Sequence, residues 1–458
     1  MAPYPPDPRT AGAWPMTDIV LEKQEQAKLD RALKGQGYNL RPLFELRRSL
    51  VARLGPEAGF AAWLDVAPEG VFPAGSGLAA MPLAGMAQAA HAQTLIAPAG
   101  RPIEAHPPKV IGPGNHRVLH NTGRAVYTGR LDGAVVRGAS GAILAGGQLV
   151  YDAEGDEIAR TDDAIDLDPA IVTRAPAGAT AHAVTAADAP SIPEAFSLLG
   201  WSTGHFGHWM LEYLPRFALA LAHGANPRVL LVDDFMPDSH YQALKMLAPD
   251  GAELHVVPRF SALKVDRLEV VSTLNYAVLA PQSDAVTNDQ LAVDPALLSA
   301  AVTEMAVRMD RVLGPVTGGP DKVYLSRRAF GRRALVNADE IEDIARAAGF
   351  AIVQPETLGF AEQVRLMRGA RVMVGPEGSS MMLGMFCRPG TTGILLNHEH
   401  TEGLATMSAA LEHYGLAATV ITGPQDGDDT RFAHNVSYRI DPALFTRVLD
   451  EVLAGARD

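Results

Sequence analysis

The N-terminal part of the chain carries two different hydrophobic patterns. Over 18–33 and 41–54, apolar residues recur at three- and four-residue spacing with charges between them, which predicts two amphipathic helices. Over 117–155, short β-branched runs alternate with glycine, which predicts several short strands in a small sheet. The Pro-rich residues 1–16 show neither pattern and are expected to form a flexible arm. Residues 17–194 are therefore predicted to be an N-terminal extension of helices followed by a small β-rich region.

From about residue 195 the pattern becomes a repeat of apolar strands and amphipathic helices. Short apolar runs occupy 228–234, 251–257 and 267–273, with helical stretches before and between them. Strands that are apolar along most of their length are typical of a parallel sheet that helices cover on both faces. We therefore predict an α/β fold with two Rossmann-like domains, at 195–312 and 315–458, that face each other across a cleft.

Composition and charge restrict the class of protein. The 458 residues are 47% hydrophobic and 20% charged, which is the balance of folded domains. The net charge of −13 lacks the basic excess of a general nucleic-acid binder, so no nucleic-acid partner is expected. Cys387 is the single cysteine, which excludes an internal disulfide and fits a reducing compartment.

Neither a targeting signal nor a membrane span is expected. No apolar run approaches the roughly 18 residues that a spanning helix needs, and the N-terminus has neither the basic nor the apolar region of a secretory signal. We therefore expect a cytoplasmic protein. Peripheral membrane association and the oligomeric state stay open.

The segment 205–216 holds the first candidate for chemistry. His208 and Glu212 are four residues apart and therefore share one face of a helix. A carboxylate beside an imidazole favours the charged ring and orients it, which is the arrangement of a general base. The alternative is an ordinary helix with satisfied polar contacts. Pro215 lacks the amide that would bond the Leu211 carbonyl, so the helix is expected to kink or restart there.

The sequence does not indicate a metal site. The histidines in 205–212 and in 398–400 do not have the spacing of a zinc-binding helix. The Asp-x-Asp triplets at 166–168 and 426–428 follow no convincing apolar strand and are interpreted as solvated loops. We therefore expect no metal and no other cofactor.

Arginines cluster just beyond a predicted strand in this otherwise acidic chain: Arg327, Arg328, Arg332 and Arg333. Planar guanidinium groups bind phosphate or pyrophosphate through paired hydrogen bonds. The alternative is a solvated loop in which they pair with Asp339, Glu340, Glu342 and Asp343. Asn337 is predicted to cap the following helix, with Glu340 at the third position of a capping box.

A third cluster is the turn after the apolar strand at 371–374. Gly375 and Gly378 lack Cβ atoms, so a ligand can approach the amides at the start of the helix predicted from Ser379. Glu377 repels phosphate and is better suited to accept hydrogen bonds from sugar or ribose hydroxyls. A strand, a glycine turn and a helix occur in every α/β domain, so this motif alone is weak.

Together and in this order, the three clusters resemble the family-61 glycosyltransferases. The family pattern has a His-Trp-Leu-Leu-Asp-like helix ending in Leu-Pro-Arg, a Ser-Arg strand end, an Arg-Arg-x-x-x-Asn helix start and a Gly-Pro-His-Gly-Ala turn. The corresponding stretches here are His208–Glu212 with Leu214–Arg216, Ser326-Arg327, Arg332-Arg333 with Asn337, Gly349-Phe350, Pro355-Glu356, Glu362-Gln363 and Gly375–Ser379. The resemblance covers about residues 195–400.

The resemblance implies an inverting, metal-independent GT-B enzyme that transfers a sugar from a nucleotide-sugar, with UDP expected, to a glycan or polysaccharide acceptor. It assigns catalysis to His208 and Glu212 in the first domain. We favour His208 as the base with Glu212 orienting it, although Glu212 occupies the family's acidic position and is the alternative base. Donor binding is assigned to the second domain, at Arg327, Arg332, Arg333, Asn337, Glu356, Gln363, Gly375, Glu377, Gly378 and Ser379.

Departures from the family pattern leave other hypotheses open. Glu377 stands where the family has histidine, and Leu383 lies near the position of its asparagine. A non-catalytic relative that binds a nucleotide-sugar or a glycan is therefore the second hypothesis. A nicotinamide-dependent oxidoreductase is a third, based only on the glycines of 75–80. The donor base, the sugar and the acceptor are not identified by the sequence.

Overall fold

The structure is a computed structural model of the 458-residue chain. It describes residues 21–32, 40–67, 76–106, 108–113, 118–152, 165, 168–174, 180–186, 188–274, 276–277, 291–292, 294–315, 318–328, 333–399, 411–412, 415–426 and 436–455. The predicted flexible arm, 1–16, lies outside these residues. Within the described ranges, every helix is too short or too polar to cross a lipid bilayer.

Three helices open the described chain: α1 (Lys23–Ala32), α2 (Leu40–Leu54) and α3 (Pro56–Val66). The first two confirm the helices predicted from apolar spacing. Their buried side chains pack with those of α3 in one cluster that includes Phe44, Phe60 and Trp63. The Trp63 indole is fully buried, and its Nε1 donates to the Leu43 carbonyl at 2.9 Å.

The strands, in chain order, are β1 (Ser76–Gly85), β2 (His91–Ala97), β3 (Arg101–Ala105), β4 (Lys109–Ile111), β5 (Leu119–Gly123), β6 (Val126–Arg137), β7 (Ile143–Ala145), β8 (Gln148–Tyr151), β9 (Ile171–Arg174), β10 (Thr180–Ala186), β11 (Ser191–Ser197), β12 (Val229–Asp233), β13 (Glu253–Val257), β14 (Ala262–Val271), β15 (Tyr276–Ala277), β16 (Leu291–Ala292), β17 (Lys322–Leu325), β18 (Ala351–Val353), β19 (Val372–Pro376), β20 (Thr392–His398), β21 (Ala417–Gly423), β22 (Gln425–Asp426) and β23 (Ser437–Tyr438). The other helices are α4 (Met86–Ala89), α5 (Phe206–His208), α6 (Leu214–Ala222), α7 (Asp238–Leu247), α8 (Pro295–Leu313), α9 (Ala338–Ala347), α10 (Phe360–Gly369) and α11 (Pro442–Gly455). A π-helical turn spans Trp209–Tyr213, and 3₁₀ turns span Pro355–Thr357 and Ser379–Phe386.

An eleven-stranded mixed sheet occupies the first half of the chain, in the order β13-β12-β11-β14-β6-β7-β8-β1-β10-β9, with β2 also paired to β6. Its first four strands are parallel neighbours, as the strand and helix repeat predicts. β6 then joins antiparallel to β14. The predicted small sheet of 117–155 is therefore wrong as a separate sheet, because its main strands extend the parallel one. Strand pairing crosses the predicted boundary between 17–194 and 195–312.

The central strands of this sheet share an interruption. Pairing of β11 with β14 skips Pro193, and pairing of β14 with β6 skips Gly133, whose φ is +60°. Proline removes a ladder donor and a glycine with positive φ redirects a strand. Val136 and Val271, from opposite ends of the β6 and β14 ribbon, line one cavity. The interruption lies between these two positions along the ribbon.

A second sheet of six strands runs β18-β17-β19-β20-β21-β4, and every neighbouring pair in it is parallel. Five of its strands come from 315–458, as predicted. The sixth, β4, comes from the N-terminal extension and pairs with β21 at Thr419 and Lys109. The chain therefore has an α/β fold in which the extension contributes to both sheets.

The two halves pack directly through one hydrophobic cluster. Buried Trp209 and Leu244 of the first half share this cluster with Phe360 and Met381 of the second. A hydrogen bond beside this cluster also joins the two halves. The Phe360 amide donates to Gln242 Oε1 at 2.8 Å. The start of α10 is thereby fixed against α7.

A buried charge network joins α2 to the β-rich region. Arg47 donates to the Asp168 carbonyl at 2.9 Å, and the Asp168 carboxylate accepts from Ser140 Oγ at 2.6 Å and from the Gly141 amide at 2.8 Å. Burial lowers the pKa of Arg47 to about 9, against the opposing charge of Asp168. The interpretation of 166–168 as a solvated loop is wrong for Asp168, which is fully buried. Its partners lie up to 121 positions away in the sequence.

Asp168→Ala is expected to lower the free energy of unfolding by about 3–5 kcal/mol, because it leaves a buried arginine without its counter-charge. Urea denaturation followed by circular dichroism measures the change. Asp188→Ala, at an exposed position, is the matched control and should stay within about 0.5 kcal/mol of the wild type. A similarly small change in the Asp168 variant would show that the network does not support the fold.

Candidate active site

The helix that follows β11 changes type twice. α5 ends at His208, the π turn Trp209–Tyr213 follows, and α6 begins at Leu214 with Pro215 in its first turn. Proline fits this position because an amide there needs no helical partner. The predicted restart at Pro215 is confirmed. π turns are frequent at functional sites, and this one carries Glu212.

His208 and Glu212 form the contact that their spacing predicts. His208 Nδ1 lies 2.7 Å from Glu212 Oε1, and the two side chains are 21% and 22% exposed. Burial alone lowers the pKa of His208, but the hydrogen bond and the charge of Glu212 outweigh it, so this pKa is raised. Because Nδ1 faces the carboxylate, Nε2 is the ring nitrogen directed away from Glu212.

His205 lies against this pair with the opposite electrostatic tendency. Its Nδ1 accepts from the His208 amide at 3.4 Å, and the two ring centroids are 5.0 Å apart in an edge-to-face arrangement. Burial, His208 and Arg333 lower the pKa of His205, while Glu212 opposes them. The site therefore favours a neutral His205 beside a readily protonated His208.

A buried carboxylate fixes the loop that leads into this helix. Asp233, at the carboxyl end of β12, accepts from Thr203 Oγ1 at 2.7 Å and from the amides of Gly200 at 3.0 Å and Ala139 at 2.6 Å. Burial raises the pKa of Asp233 to about 7, although these hydrogen bonds oppose the rise. Sequence reasoning missed this residue, whose only signal was an aspartate directly after an apolar strand.

His240 of α7 supports the same loop. Its Nδ1 donates to the Thr203 carbonyl at 2.9 Å, and its ring stacks on Trp209 with centroids 4.7 Å apart. Burial lowers the pKa of His240 to about 4, so the ring is neutral near pH 7. His240 therefore has a positioning role that its sequence context does not reveal.

A cavity of about 120 Å³ opens beside the His208–Glu212 pair. The helix contributes Arg216, whose guanidinium lies 4.4 Å from the centroid of the Tyr213 ring. The opposite wall comes from the β-rich region and includes Ser140, Gly141, Ala142, Ile143, Tyr151, Asp152 and Thr273. Trp201 and Ser202 complete the lining on the side of the entering loop.

The second part of the site is the turn at 375–379. Glu377 is buried, and its Oε2 accepts from Arg333 Nη1 and from Asn397 Nδ2, both at 3.2 Å. Arg333 has a φ of +52°, a left-handed conformation that is uncommon outside glycine. Sequence reasoning did not single out Asn397, which lies 20 positions after its partner.

Arg327 touches the same turn. A Cβ atom at Gly378 would lie 2.9 Å from Arg327 Nε, and Arg327 Nη1 donates to the Arg333 carbonyl at 3.2 Å. Burial and the charge of Arg333 lower the pKa of Arg327. These two arginines converge on the turn as expected, and their binding of a donor stays a prediction. Arg332 lies outside the described residues.

Two neighbouring residues are engaged in structural contacts. Arg328 pairs with Glu342 at 2.7 Å and with Asp339, which is the alternative considered for the arginine cluster. Asn337 occupies the predicted N-cap position of α9 and donates from Nδ2 to Glu340 Oε2 at 3.2 Å, but its side chain makes no capping bond to the helix amides. Its Nδ2 donates to the Ile440 carbonyl at 2.8 Å and its Oδ1 accepts from the Ile440 amide at 3.2 Å. The Asn337 side chain, which was predicted to bind the nucleotide-sugar, is therefore engaged with a distant segment of the chain.

The glycine turn also differs locally from its prediction. The helix expected from Ser379 is a 3₁₀ turn, with the Met381 amide bonded to the Gly378 carbonyl at 2.9 Å. A Cβ at Gly375 would lie 2.7 Å from the Leu325 carbonyl, so Gly375 permits close packing of β19 on β17. The amides at the start of an α-helix, expected here as an anion site, are therefore those of a 3₁₀ turn instead.

Glu356 and Gln363 lie on either side of the connection between a 3₁₀ turn and α10. Glu356 is exposed in the 3₁₀ turn before α10. Gln363 is buried, and its Nε2 donates to the carbonyls of Pro355 at 2.7 Å and Leu358 at 3.2 Å. Gln363 thus fixes the loop that carries Glu356. Donor binding by either residue stays a prediction.

Gly207 brings the two parts of the site together. A Cβ atom there would lie 2.9 Å from Ser379 Oγ, so glycine lets the histidine helix approach the turn. The charge of Arg333 also acts on His205 across this contact. The helix that carries the His208–Glu212 pair therefore lies next to the turn at 375–379.

The described part of the chain holds no group of three or more His, Cys, Asp or Glu side chains arranged to bind a metal ion. His398, one of the histidines considered for a metal, is buried with its ring centroid 6.2 Å from that of Tyr438. His400 lies outside the described residues, as do Gly427 and Asp428 of the second aspartate triplet.

Residues 206–394 match the family model described as Glycosyltransferase 61. This segment belongs to the family-61 glycosyltransferases. The match confirms the family resemblance seen in the sequence, and it indicates glycosyl transfer as the class of reaction. A search of curated proteins found no match. The family-61 segment contains both parts of the site, whereas the cavity wall at Ser140–Asp152 precedes it.

Glu212→Gln is expected to lower the pKa of His208 in this glycosyltransferase, because the neutral amide removes the charge that favours the imidazolium. Titration of the His208 ring proton by NMR measures the change. Glu304→Gln removes a similar i,i+4 partner, that of Arg308 in α8, and should leave His208 unaffected. An unchanged pKa in the Glu212 variant would mean that the pair is not formed in solution.

Proposed function

We propose that this family-61 protein is an inverting GT-B glycosyltransferase. It transfers a sugar from a nucleotide-sugar, with UDP as the expected nucleotide, to a hydroxyl of a glycan or polysaccharide. The observation that carries the proposal is the approach of Gly207 to Ser379, which brings a histidine–carboxylate pair next to an arginine-lined turn. The pair supplies a base, and the turn supplies positive charge for a leaving diphosphate.

The base is His208. Its Nε2 accepts the proton of the acceptor hydroxyl while Nδ1 donates to Glu212, which stabilises the imidazolium that forms. The acceptor oxygen attacks the anomeric carbon from the face opposite the nucleotide. The bond from that carbon to the phosphate oxygen breaks, and its electron pair leaves with the nucleoside diphosphate. Proton removal by Glu212 is the alternative assignment and requires His208 to act as its orienting partner.

Arg327 and Arg333 balance the charge that develops on the diphosphate. Preorganised cationic side chains can stabilise the charge of the leaving diphosphate, as a divalent ion does in other transferases. Glu377 accepts hydrogen bonds from hydroxyls of the ribose or the transferred sugar, since Asn397 and Arg333 already direct its carboxylate into the turn. The transfer therefore needs no metal and no other cofactor.

A second candidate function is binding of a nucleotide-sugar without transfer. It is favoured by the Arg333–Glu377 pair, because a buried carboxylate on this arginine reduces its attraction for phosphate. The two candidates differ in turnover rather than in affinity.

The proposal extends to the setting of the enzyme. A cytoplasmic location and a part in assembling surface polysaccharide belong to it as expectations. The single thiol, Cys387, is buried with its pKa raised by burial to about 12, so it is protonated and poorly reactive. A lone unreactive thiol suits a reducing compartment.

His208→Ala and Glu212→Gln are each expected to lower sugar transfer by roughly 10²- to 10⁴-fold, as the loss of a general base does. Release of nucleoside diphosphate from a panel of nucleotide-sugars, measured in EDTA, gives the rates. Glu304→Gln is the control and should retain the wild-type rate. Near-normal turnover in both variants, or a rate that appears only when manganese is added, would contradict the proposed mechanism.

Arg333→Ala is expected to weaken nucleoside diphosphate binding by about 10- to 100-fold, because it removes hydrogen bonds to a charged group. Calorimetry with UDP measures the affinity. Arg267→Ala removes an exposed arginine on the other sheet and should leave it unchanged. Unchanged affinity in the Arg333 variant would place the diphosphate elsewhere.

A further inference from the structure

The cavity beside the His208–Glu212 pair is built largely by residues that precede the family-61 segment. Ser140–Ile143 and Tyr151-Asp152 form one wall, and Trp201 closes the side next to the entering loop. The ribbon of β6 and β14 contributes Val136, Val270 and Val271 to the same lining, beside the helix that carries the proposed base. The cavity therefore combines the proposed base with a wall that the family segment does not supply.

Arg216 is the unusual group in this cavity. It is half-buried, and its buried Nε has no hydrogen-bond partner. Across the described ranges, no carboxylate forms an ion pair with it, and its guanidinium stacks on the Tyr213 ring at 4.4 Å. An anion bound in the cavity would give this buried donor a partner, and a hydrogen bond between ionised groups is stronger than one between neutral groups.

The other charged groups that line the cavity are already satisfied. Asp152 Oδ2 accepts from the Thr273 amide at 2.6 Å, and its Oδ1 lies 3.3 Å from Arg124 Nη2. Glu212 is bonded to His208. Because both carboxylates have partners, Arg216 is the one cation among the lining residues that is left to bind a ligand.

We propose that this cavity is the acceptor subsite, and that Arg216 selects an acceptor sugar that carries an anionic group. The inference rests on the proposed function, in which the acceptor hydroxyl reaches His208. The anionic group is a carboxylate, as in a uronic acid, or a phosphate on the sugar, and both match the planar fork of a guanidinium. Trp201 offers an aromatic face to the same sugar ring.

His208 and Arg216 both line the cavity, so their spacing limits which acceptor fits. Since His208 and Arg216 lie on the same helix, two turns apart, the reacting hydroxyl and the anionic group belong to one residue or to adjacent residues of the acceptor.

The test measures by calorimetry how three probes bind the full chain. The neutral probe is a methyl glucoside, and the two anionic probes are its 6-phosphate and the corresponding methyl glucuronide. The wild type is expected to bind at least one anionic probe about 10- to 100-fold more tightly than the neutral one. The anionic probe that binds more tightly than the neutral one identifies the preferred anion as carboxylate or phosphate. Arg216→Met is expected to abolish the preference, and Arg216→Lys to retain part of it. Arg267→Met is the matched control and should retain all of it.

Equal binding of all three probes by the wild type, or an undiminished preference in a folded Arg216→Met variant, overturns the inference. If thermal melting shows that Arg216→Met does not fold, the inference is tested by the binding preference of the wild type and of Arg216→Lys. UDP affinity is measured on the same samples and should be unchanged by Arg216→Met. Absence of transfer with every nucleotide-sugar would overturn the proposed function, while selective binding of an anionic probe would still assign the cavity to that ligand.

Discussion

The buried carboxylate of Asp233 is the contact on which the site depends most. It bonds the Ala139 amide after β6, the Gly200 amide after β11 and the Thr203 hydroxyl in the loop that enters the histidine helix. Ala139 has a φ of +63°, a conformation that costs free energy outside glycine and persists only where surrounding contacts fix it. One side chain therefore fixes both the approach to His205 and the strand end that leads into the cavity wall. Ala139 is far in the sequence from the loop that holds Gly200 and Thr203, so Asp233 joins two distant segments at the entrance to the site.

The chemistry of the site follows from what this anchoring permits. The entering loop presents His205 as a neighbour with a lowered pKa, and the π turn directs Glu212 at His208, whose pKa is raised. Gly207 then lets this helix approach Ser379, so the arginines of the second sheet lie across from the pair. Each sheet thus supplies one functional group that the proposed transfer needs. The first sheet supplies a base, and the second supplies cationic side chains. The hydrophobic cluster that includes Trp209 and Phe360 packs the two halves of the chain against each other.

Local chemistry in the sequence was enough to predict part of this arrangement. The His208–Glu212 contact depends only on helical spacing, and the restart at Pro215 depends only on a missing amide. The parallel strands of both sheets follow from their apolar runs. Features that depend on long-range pairing were not accessible: Asp168 is buried by residues far away in the chain, and Asn337 bonds Ile440 instead of capping its helix. For the same reason the strands of 117–155 were expected in a small sheet of their own, although β6 pairs with β14 across a separation that periodicity does not encode.

The central claim is that the histidine pair and the arginine turn form one active site. A crystal structure of the full chain with UDP tests it most directly. The account predicts that the diphosphate contacts Arg327 or Arg333 at the turn 375–379, with its terminal phosphate on the side of Ser379 that faces His208. A nucleotide bound away from this turn, or with its terminal phosphate directed away from the His208–Glu212 pair, would contradict the claim.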